Sequence, residues 1–478
     1  MYQNFGLFIG GQWRAASDRA TVDVLSPVTQ EALGSAPVAT VADTQDALGA
    51  ARDGFDAWRA TSAFARADAL HRIADEMLRR TDEARKMISL ETGKPIAQSE
   101  REWGLAVDQF RWFAEEARRI YGRIIESRVP GGRFEVSREP VGIVGAFTAW
   151  NFPAALVARK AAPALAAGCS IIIRPSTQTP GVAMVMVDCM RAGNLPAGTV
   201  NLIVGPTATT YTPIMADKSV RKVSLTGSTR VGQQMIRDAA DTVKKVSMEL
   251  GGNAPLIVYD DADVELALNV SVPTKFANAG QVCVTPDRFF VHERLYNDFV
   301  DGFVSRSNAL KLGDGLDPSV QMGPLINGGR LAEMESIVAD AVKAGAKVAT
   351  GGERASEFNA GHFYKPTVLT DVADDMKVFA EENFGPIAAI TRFKDEDEVL
   401  ARANACDMGL SAYAFTRSPE RARRTVVALK AGMVGINTFA LAASEAPFGG
   451  TNHSGMGREG GIEGISDYLD TKLAQIVF

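Results

Sequence analysis

Between residues 141 and 258 the chain repeats one pattern: a short continuous apolar run, a small polar turn, then a longer stretch with apolar residues three and four apart. The runs cover residues 141–147, 170–174, 200–204 and 222–225. The intervening stretches include residues 161–168 and 182–192. Apolar runs too short for helices, alternating with helical spacing, predict strands of a parallel sheet covered on both faces. The alternation breaks at Gly251-Gly252 and restarts with the run 254–258, which leads into a helix from Ala262. Two doubly wound α/β domains in series follow from that restart.

The flanks read differently. Residues 7–40 hold brief apolar bursts separated by Gly10-Gly11 and Ser26-Pro27, the signature of strands and turns. From Val41 to Ile120 the spacing is helical, as in Ala67-Asp68-Ala69-Leu70-His71-Arg72-Ile73-Ala74. Residues 121–137 alternate around Pro130-Gly131-Gly132, predicting a hairpin arm outside the helical layer. The last residues, Gln475-Ile476-Val477-Phe478, form an apolar strand in need of a partner edge, in this chain or in another copy.

Composition narrows the function. With 478 residues, 46% of them hydrophobic, the chain exceeds a single core. A net charge of -6 argues against neutralising nucleic-acid phosphates. Apolar runs fall short of the ~20 residues that span a bilayer, and the opening residues resemble no signal peptide. Cys169, Cys189, Cys283 and Cys406 form no CxxC pair, which speaks against a disulfide frame or zinc cluster. A cytoplasmic, metal-free protein is expected.

Four short segments carry candidate chemistry, each with a plain alternative. Cys283 sits in a Gly-containing, small-residue stretch, open enough for a nucleophile, although free cysteines are more often buried packing residues. Glu249 ends a strand-like run between apolar neighbours, where desolvation raises a carboxyl toward the range of a general base; the alternative is a cap or salt bridge. Asn151 follows a buried strand and either donates its amide to an oxyanion or caps the next helix. Around Gly227 and Ser228 a strand runs through a Gly/Ser/Thr turn into a helix, a seat for pyrophosphate or simply a capped helix start. The string Gly455-Met456-Gly457-Arg458-Glu459-Gly460 fits GxGxxG, but it follows no strand and precedes no βαβ unit, so a loop is expected there.

Taken together, Trp150-Asn151-Phe152-Pro153, Thr226-Gly227-Ser228-Thr229, Glu249-Leu250-Gly251-Gly252, Gly280-Gln281-Val282-Cys283, Glu381-Glu382-Asn383-Phe384-Gly385-Pro386 and Pro447-Phe448-Gly449-Gly450 occur in one order. In that order and spacing the chain resembles the NAD(P)-dependent aldehyde dehydrogenase superfamily over nearly its whole length, nearest in motifs to its succinate-semialdehyde branch. The resemblance implies a Rossmann-like cofactor domain (residues 1–120 and 141–251), a catalytic domain (252–446) and a small β oligomerisation arm (121–140 and 460–478). It makes Cys283 the nucleophile, Asn151 an oxyanion donor, Glu249 the deacylating base and Lys160 a further catalytic group. Trp150, Arg174, Ser176, Thr177, Gly227, Ser228, Leu250, Glu382 and Phe384 become the cofactor contacts. Thr177 stands where the commonest pattern has a glutamate that repels a 2′-phosphate, and Arg174 offers that phosphate a guanidinium, so NADP is expected over NAD.

For the substrate pocket the resemblance implies Phe152, Arg159, Val282, Val284, Phe439, Leu441 and Phe448. Arg159 matches a carboxylate-binding arginine of the succinate-semialdehyde branch. The branch's second arginine is Ala277 here, its loop serines are Ala442 and Ala443, and its second cysteine is Thr285. With one arginine and an apolar remainder, a medium aliphatic or aromatic aldehyde is the first expectation and a semialdehyde the alternative. CoA-acylating relatives usually lack the glutamate present as Glu249, and phosphorylating ones need a histidine absent near these motifs. A non-catalytic paralogue with a binding or structural role is the alternative of another class. The family further implies a homodimer or homotetramer.

Overall fold

The computed structural model describes residue 2 and residues 4–478. Its first sheet has eight strands, and the parallel centre runs in the order Val200–Leu202, Ser170–Arg174, Ile143–Phe147, Val220–Thr226, Lys245–Glu249. Leu7–Ile9 and Gln12–Arg14 extend one edge antiparallel, and Gly455–Met456 extends the other. The alternation predicted from the sequence is visible in the side chains: Ile171 and Ile173 enter one buried core, whereas Ile172 enters another on the opposite face. Both faces are covered, one by the helices Pro153–Ala167 and Pro180–Met190 together with the N-terminal helical layer.

Of the four N-terminal helices, Val41–Arg59 packs on the opposite face through Ala47, Leu48 and Ala51, and Ala63–Arg79, Thr81–Thr92 and Ile96–Ala117 form that layer. Val41–Arg59 opens on a capping box in which Thr40 and Asp43 satisfy each other's backbone amides. From Ile143–Phe147 the strands run outward through Ser170–Arg174 to Val200–Leu202, and the chain then returns to place Val220–Thr226 on the other side of Ile143–Phe147. Such a switch point opens a crevice at the carboxyl ends of the strands. The segments beginning at Trp150 and Gly227 leave from those two adjacent ends.

A second sheet holds seven strands in the order Lys347–Thr350, Thr367–Thr370, Ile387–Phe393, Pro286–His292, Ala254–Val258, Ser411–Phe415, Met433–Ile436, with only Lys347–Thr350 antiparallel. Its apolar residues gather into a separate core. The nucleophile segment precedes Pro286–His292, so the amino ends of this sheet face the crevice of the first. Gly252, at the crossing between the sheets, lies so close to the Cys283 carbonyl that no side chain fits there.

The hairpin Arg123–Glu126 and Gly132–Pro140 pairs with the C-terminal strand Leu469–Val477 in register from Leu469↔Pro140 to Val477↔Gly132. The strand's partner edge is therefore in its own chain. The GxGxxG segment differs from expectation: Gly455–Met456 pairs with Met248 and Glu249, so it edges the first sheet instead of running free. No helix among the described residues is long and apolar enough to cross a membrane.

Candidate active site

The nucleophile segment begins as the helix Val264–Phe276 ends, and it turns through three residues in left-handed conformation: Asn278 (φ 48), Ala279 (φ 54) and Gly280 (φ 72). Glycine takes such angles freely and asparagine tolerates them, which leaves Ala279 the strained member, and side-chain bonds to Asn278 brace the turn. Gln281 is fully buried, donates from Nε2 to the Asn278 carbonyl at 2.8 Å and accepts from the Ile326 amide at 3.0 Å. The turn delivers Cys283 half-buried. On the far side the Val284 carbonyl accepts from the Tyr413 hydroxyl at 2.7 Å. Thr285, which replaces the branch's second cysteine, turns away and donates to the Thr274 carbonyl.

Asn151 meets this turn from the first sheet. Its amide Nδ2 donates to the Gln281 carbonyl at 3.1 Å, while its own carbonyl accepts from Asn278 Nδ2 at 3.1 Å and Lys94 Nζ at 2.7 Å. It does not cap the helix Pro153–Ala167, whose cap position is Phe152 with no side-chain bond. The Asn151 side-chain Oδ1 is buried without a partner.

Glu249 ends its strand buried, and its Oε2 has no hydrogen-bond partner. Burial holds its carboxyl well above the usual carboxylate range, and the nearby charge of Glu459 adds to this; Lys160, Arg159 and Arg458 pull the other way. The Cys283 thiol is pushed up to about 12, first by burial, then by Glu382 and Glu249, with Arg159 opposing. Lys160 is fully buried, donates to Thr226 Oγ1 at 2.7 Å and pairs with Glu459. Glu459 escapes a reading by sequence because it lies 299 residues from Lys160, inside the string set aside as a loop.

Arg159 is only 7% exposed, and its guanidinium lies 3.9 Å over the Phe448 ring. Among the described residues it has neither an ion pair nor a hydrogen bond within reach. Phe448 packs with Leu410 and Met433, and Cys283, Val284, Leu441 and Ala442 lie against that cluster. Phe439 is placed elsewhere, on Tyr413 at 4.4 Å and Phe415 at 5.9 Å in the second core. Val282 is half-buried beside the nucleophile, and Phe152 lies under the Lys94 ammonium at 3.9 Å.

Ser228 caps the helix Thr229–Ala240 by accepting from the Val231 amide, which fulfils the plainer reading of that turn. The Gly227 amide is held by the Glu249 carbonyl at 3.0 Å, and Leu250 packs on Gly232. Glu382 accepts from the Gly252 amide at 2.9 Å, and burial pushes its carboxyl up to about 8. Trp150 and Phe384 meet edge to face at 5.6 Å. Arg174 spends Nη2 on the Gly205 carbonyl at 2.7 Å, and its Nε is buried without a partner. Ser176 and Thr177 beside it are half-buried. A helix amino end, a carboxylate and an unsatisfied guanidinium nitrogen fit a dinucleotide with an added phosphate.

Comparison with known proteins agrees with this geometry. Residues 13–474 match the model of the aldehyde dehydrogenase family. A glutarate-semialdehyde dehydrogenase of Pseudomonas putida is 41% identical over 97% of this chain and 96% of its own. The NADP(+) succinate-semialdehyde dehydrogenase GabD of Escherichia coli is 42% identical over 97% of this chain and 96% of its own. A crystal structure of an E. coli NADP-dependent enzyme superposes with a TM-score of 0.97 at 41% identity, over 100% of this chain and 99% of the other.

Proposed function

The chain belongs to the aldehyde dehydrogenase family and is an aldehyde-oxidising enzyme, and from that premise we propose that its substrate is an aldehyde bearing a second, anionic group. Succinate and glutarate semialdehydes are the type, oxidised to dicarboxylates with NADP. One observation carries this reading: the buried Arg159 forms no ion pair among the described residues, although its charge acts on Glu249 and Cys283. An unpaired buried cation is costly, and a carboxylate arriving with the substrate would satisfy it. The names of the relatives support the same choice. This replaces the uncharged aliphatic or aromatic aldehyde expected from the missing second arginine, although the apolar cluster at Leu410, Met433 and Phe448 favours that second reading.

Cys283 as thiolate adds to the aldehyde carbon, and the oxygen takes the charge within reach of Asn151 Nδ2 and the Cys283 amide. Arg159 holds the far carboxylate, so the aldehyde presents the right carbon. As the carbonyl re-forms, the aldehyde C–H bond breaks, its hydrogen departs as hydride to the cofactor's acceptor, and Cys283 carries a thioester. Glu249 then takes a proton from water, whose oxygen adds to the thioester carbon and expels the thiolate. Lys160, clamped between Thr226 and Glu459, sets its Nζ beside the Glu459 carboxylate. Bound NADP would supply the hydride acceptor. It would be held by Arg174, Ser176 and Thr177 at the adenosine end, the helix start at Ser228 and Gly227 beside Leu250, and Glu382, Trp150 and Phe384 at the nicotinamide end. Exposed Ile124, Leu473 and Phe478 on the arm support assembly into a homodimer or homotetramer.

The test compares kcat/KM for succinate semialdehyde, glutarate semialdehyde, hexanal and benzaldehyde with NADP. The reading expects either semialdehyde to exceed the uncharged aldehydes by on the order of 10². Equal or reversed values return the choice to the uncharged class.

A further inference from the structure

The helix Pro153–Ala167 carries Arg159 and Lys160 and starts directly after Asn151, yet it has no cap of its own. Its cap position is Phe152, with no side-chain bond, and Pro153 follows. The helix's first free amides must find acceptors elsewhere. They find Glu102, from the helix Ile96–Ala117: its Oε1 accepts from Ala154 N at 2.8 Å and from Ala155 N at 3.3 Å. The other carboxylate oxygen accepts from Lys94 Nζ at 2.5 Å. Lys94 in turn donates to the Asn151 carbonyl at 2.7 Å and lies 3.9 Å over the Phe152 ring. Lys94 and Glu102 are each only 1% exposed.

We propose that the buried Lys94–Glu102 pair is a positioning device for oxyanion binding, pinning the Asn151 carbonyl and the helix start so that the Asn151 amide stays aimed at the substrate oxygen. The inference rests on the role given to Asn151 above. The pin sits on the peptide unit of the donor itself, so a small shift there moves the amide directly. Asn278 Nδ2, at 3.1 Å from the same carbonyl, is a second and weaker hold. A neutral donor binds less strongly than a charged one, so loss of Lys94 loosens Asn151 without freeing it.

The test is a double-mutant cycle on the full chain, read as the single-turnover rate of cofactor reduction. Lys94→Met should lower that rate by about 10- to 100-fold, part of the ~10²–10³ lost with a whole oxyanion donor. KM for the aldehyde should stay within about threefold. Added to Asn151→Ala, Lys94→Met should cost less than about threefold more, because its effect passes through that amide. Equal losses in both backgrounds, or a loss carried by KM, would overturn the proposal. If Lys94→Met does not fold, Lys94→Met with Glu102→Gln leaves no lone buried charge and enters the same cycle with the same outcomes. A wild-type chain that reduces no cofactor with any aldehyde overturns the functional reading and this proposal together. Additive losses in an active enzyme overturn the positioning role alone.

Discussion

Replacing Arg159 by methionine separates the two substrate classes more sharply than any other change. The guanidinium is 7% exposed, stacked on Phe448 and without an ion pair, so a bound carboxylate would meet it largely desolvated. Hydrogen bonds to charged groups contribute about 1.5–3 kcal/mol each, and two unit charges 4 Å apart at an effective dielectric of 20 attract by about 4 kcal/mol. Taking ~3–4 kcal/mol as the loss, kcat/KM for succinate semialdehyde should fall on the order of 10²–10³ in Arg159→Met. Hexanal, with no anion to hold, should change only a few-fold. Stability should move the other way: removing an unpaired buried charge leaves the melting temperature unchanged or raises it, offset by a cation–π contact of about 0.5–2 kcal/mol. Steady-state kinetics on both aldehydes and a thermal melt measure all three. A semialdehyde-to-hexanal ratio unchanged by the substitution refutes the role of Arg159. So does a fall in stability of ~3–5 kcal/mol, the mark of a broken buried pair.

Other outcomes follow from the same site. Glu249→Gln should leave the first turnover of cofactor reduction nearly intact and lower steady-state turnover by about 10²–10⁴, since only deacylation needs the base; stopped-flow absorbance distinguishes the two phases. With the Cys283 thiol pushed up to about 12, its thiolate fraction grows with pH, so alkylation by iodoacetamide should quicken by about tenfold per unit between pH 7 and 9. Glu382 raises that thiol, so Glu382→Gln should speed alkylation at fixed pH, and slower alkylation would contradict the assigned cause. NADP should give the higher kcat/KM, and Thr177→Glu should shift the preference toward NAD by restoring a carboxylate against the 2′-phosphate; a wild-type preference for NAD would sink the argument from Arg174 and Thr177.

What the sequence disclosed depended on how local each signal was. Continuous apolar strands announced both sheets, because burial on two faces leaves its mark on every residue, as Ile171, Ile172 and Ile173 show by dividing between two cores. Cys283, Asn151 and Glu249 stood out through the segments around them, though their roles rested on resemblance. Glu459, Lys94 and Glu102 had no such signal. Each matters through a partner distant in sequence: Glu459 through Lys160, Lys94 through Asn151 57 residues on, Glu102 through Ala154 52 residues on. A single charged residue inside a helix or a glycine-rich turn looks like a solvated one until the fold buries it. The isolation of Arg159 was hidden for the same reason, since the absence of an ion pair is a property of the packed interior. Its neighbours in sequence, Ala158 and Lys160, gave no hint that Phe448 would cover it.

The most direct measurement uses Glu249→Gln, in which the acyl-enzyme should accumulate. Turned over once with succinate semialdehyde and NADP, then denatured and digested, the protein should carry one succinyl group per chain, on the peptide containing Cys283. Unmodified protein from a reaction that still consumed the aldehyde, or an acyl group on any other residue, would contradict the account.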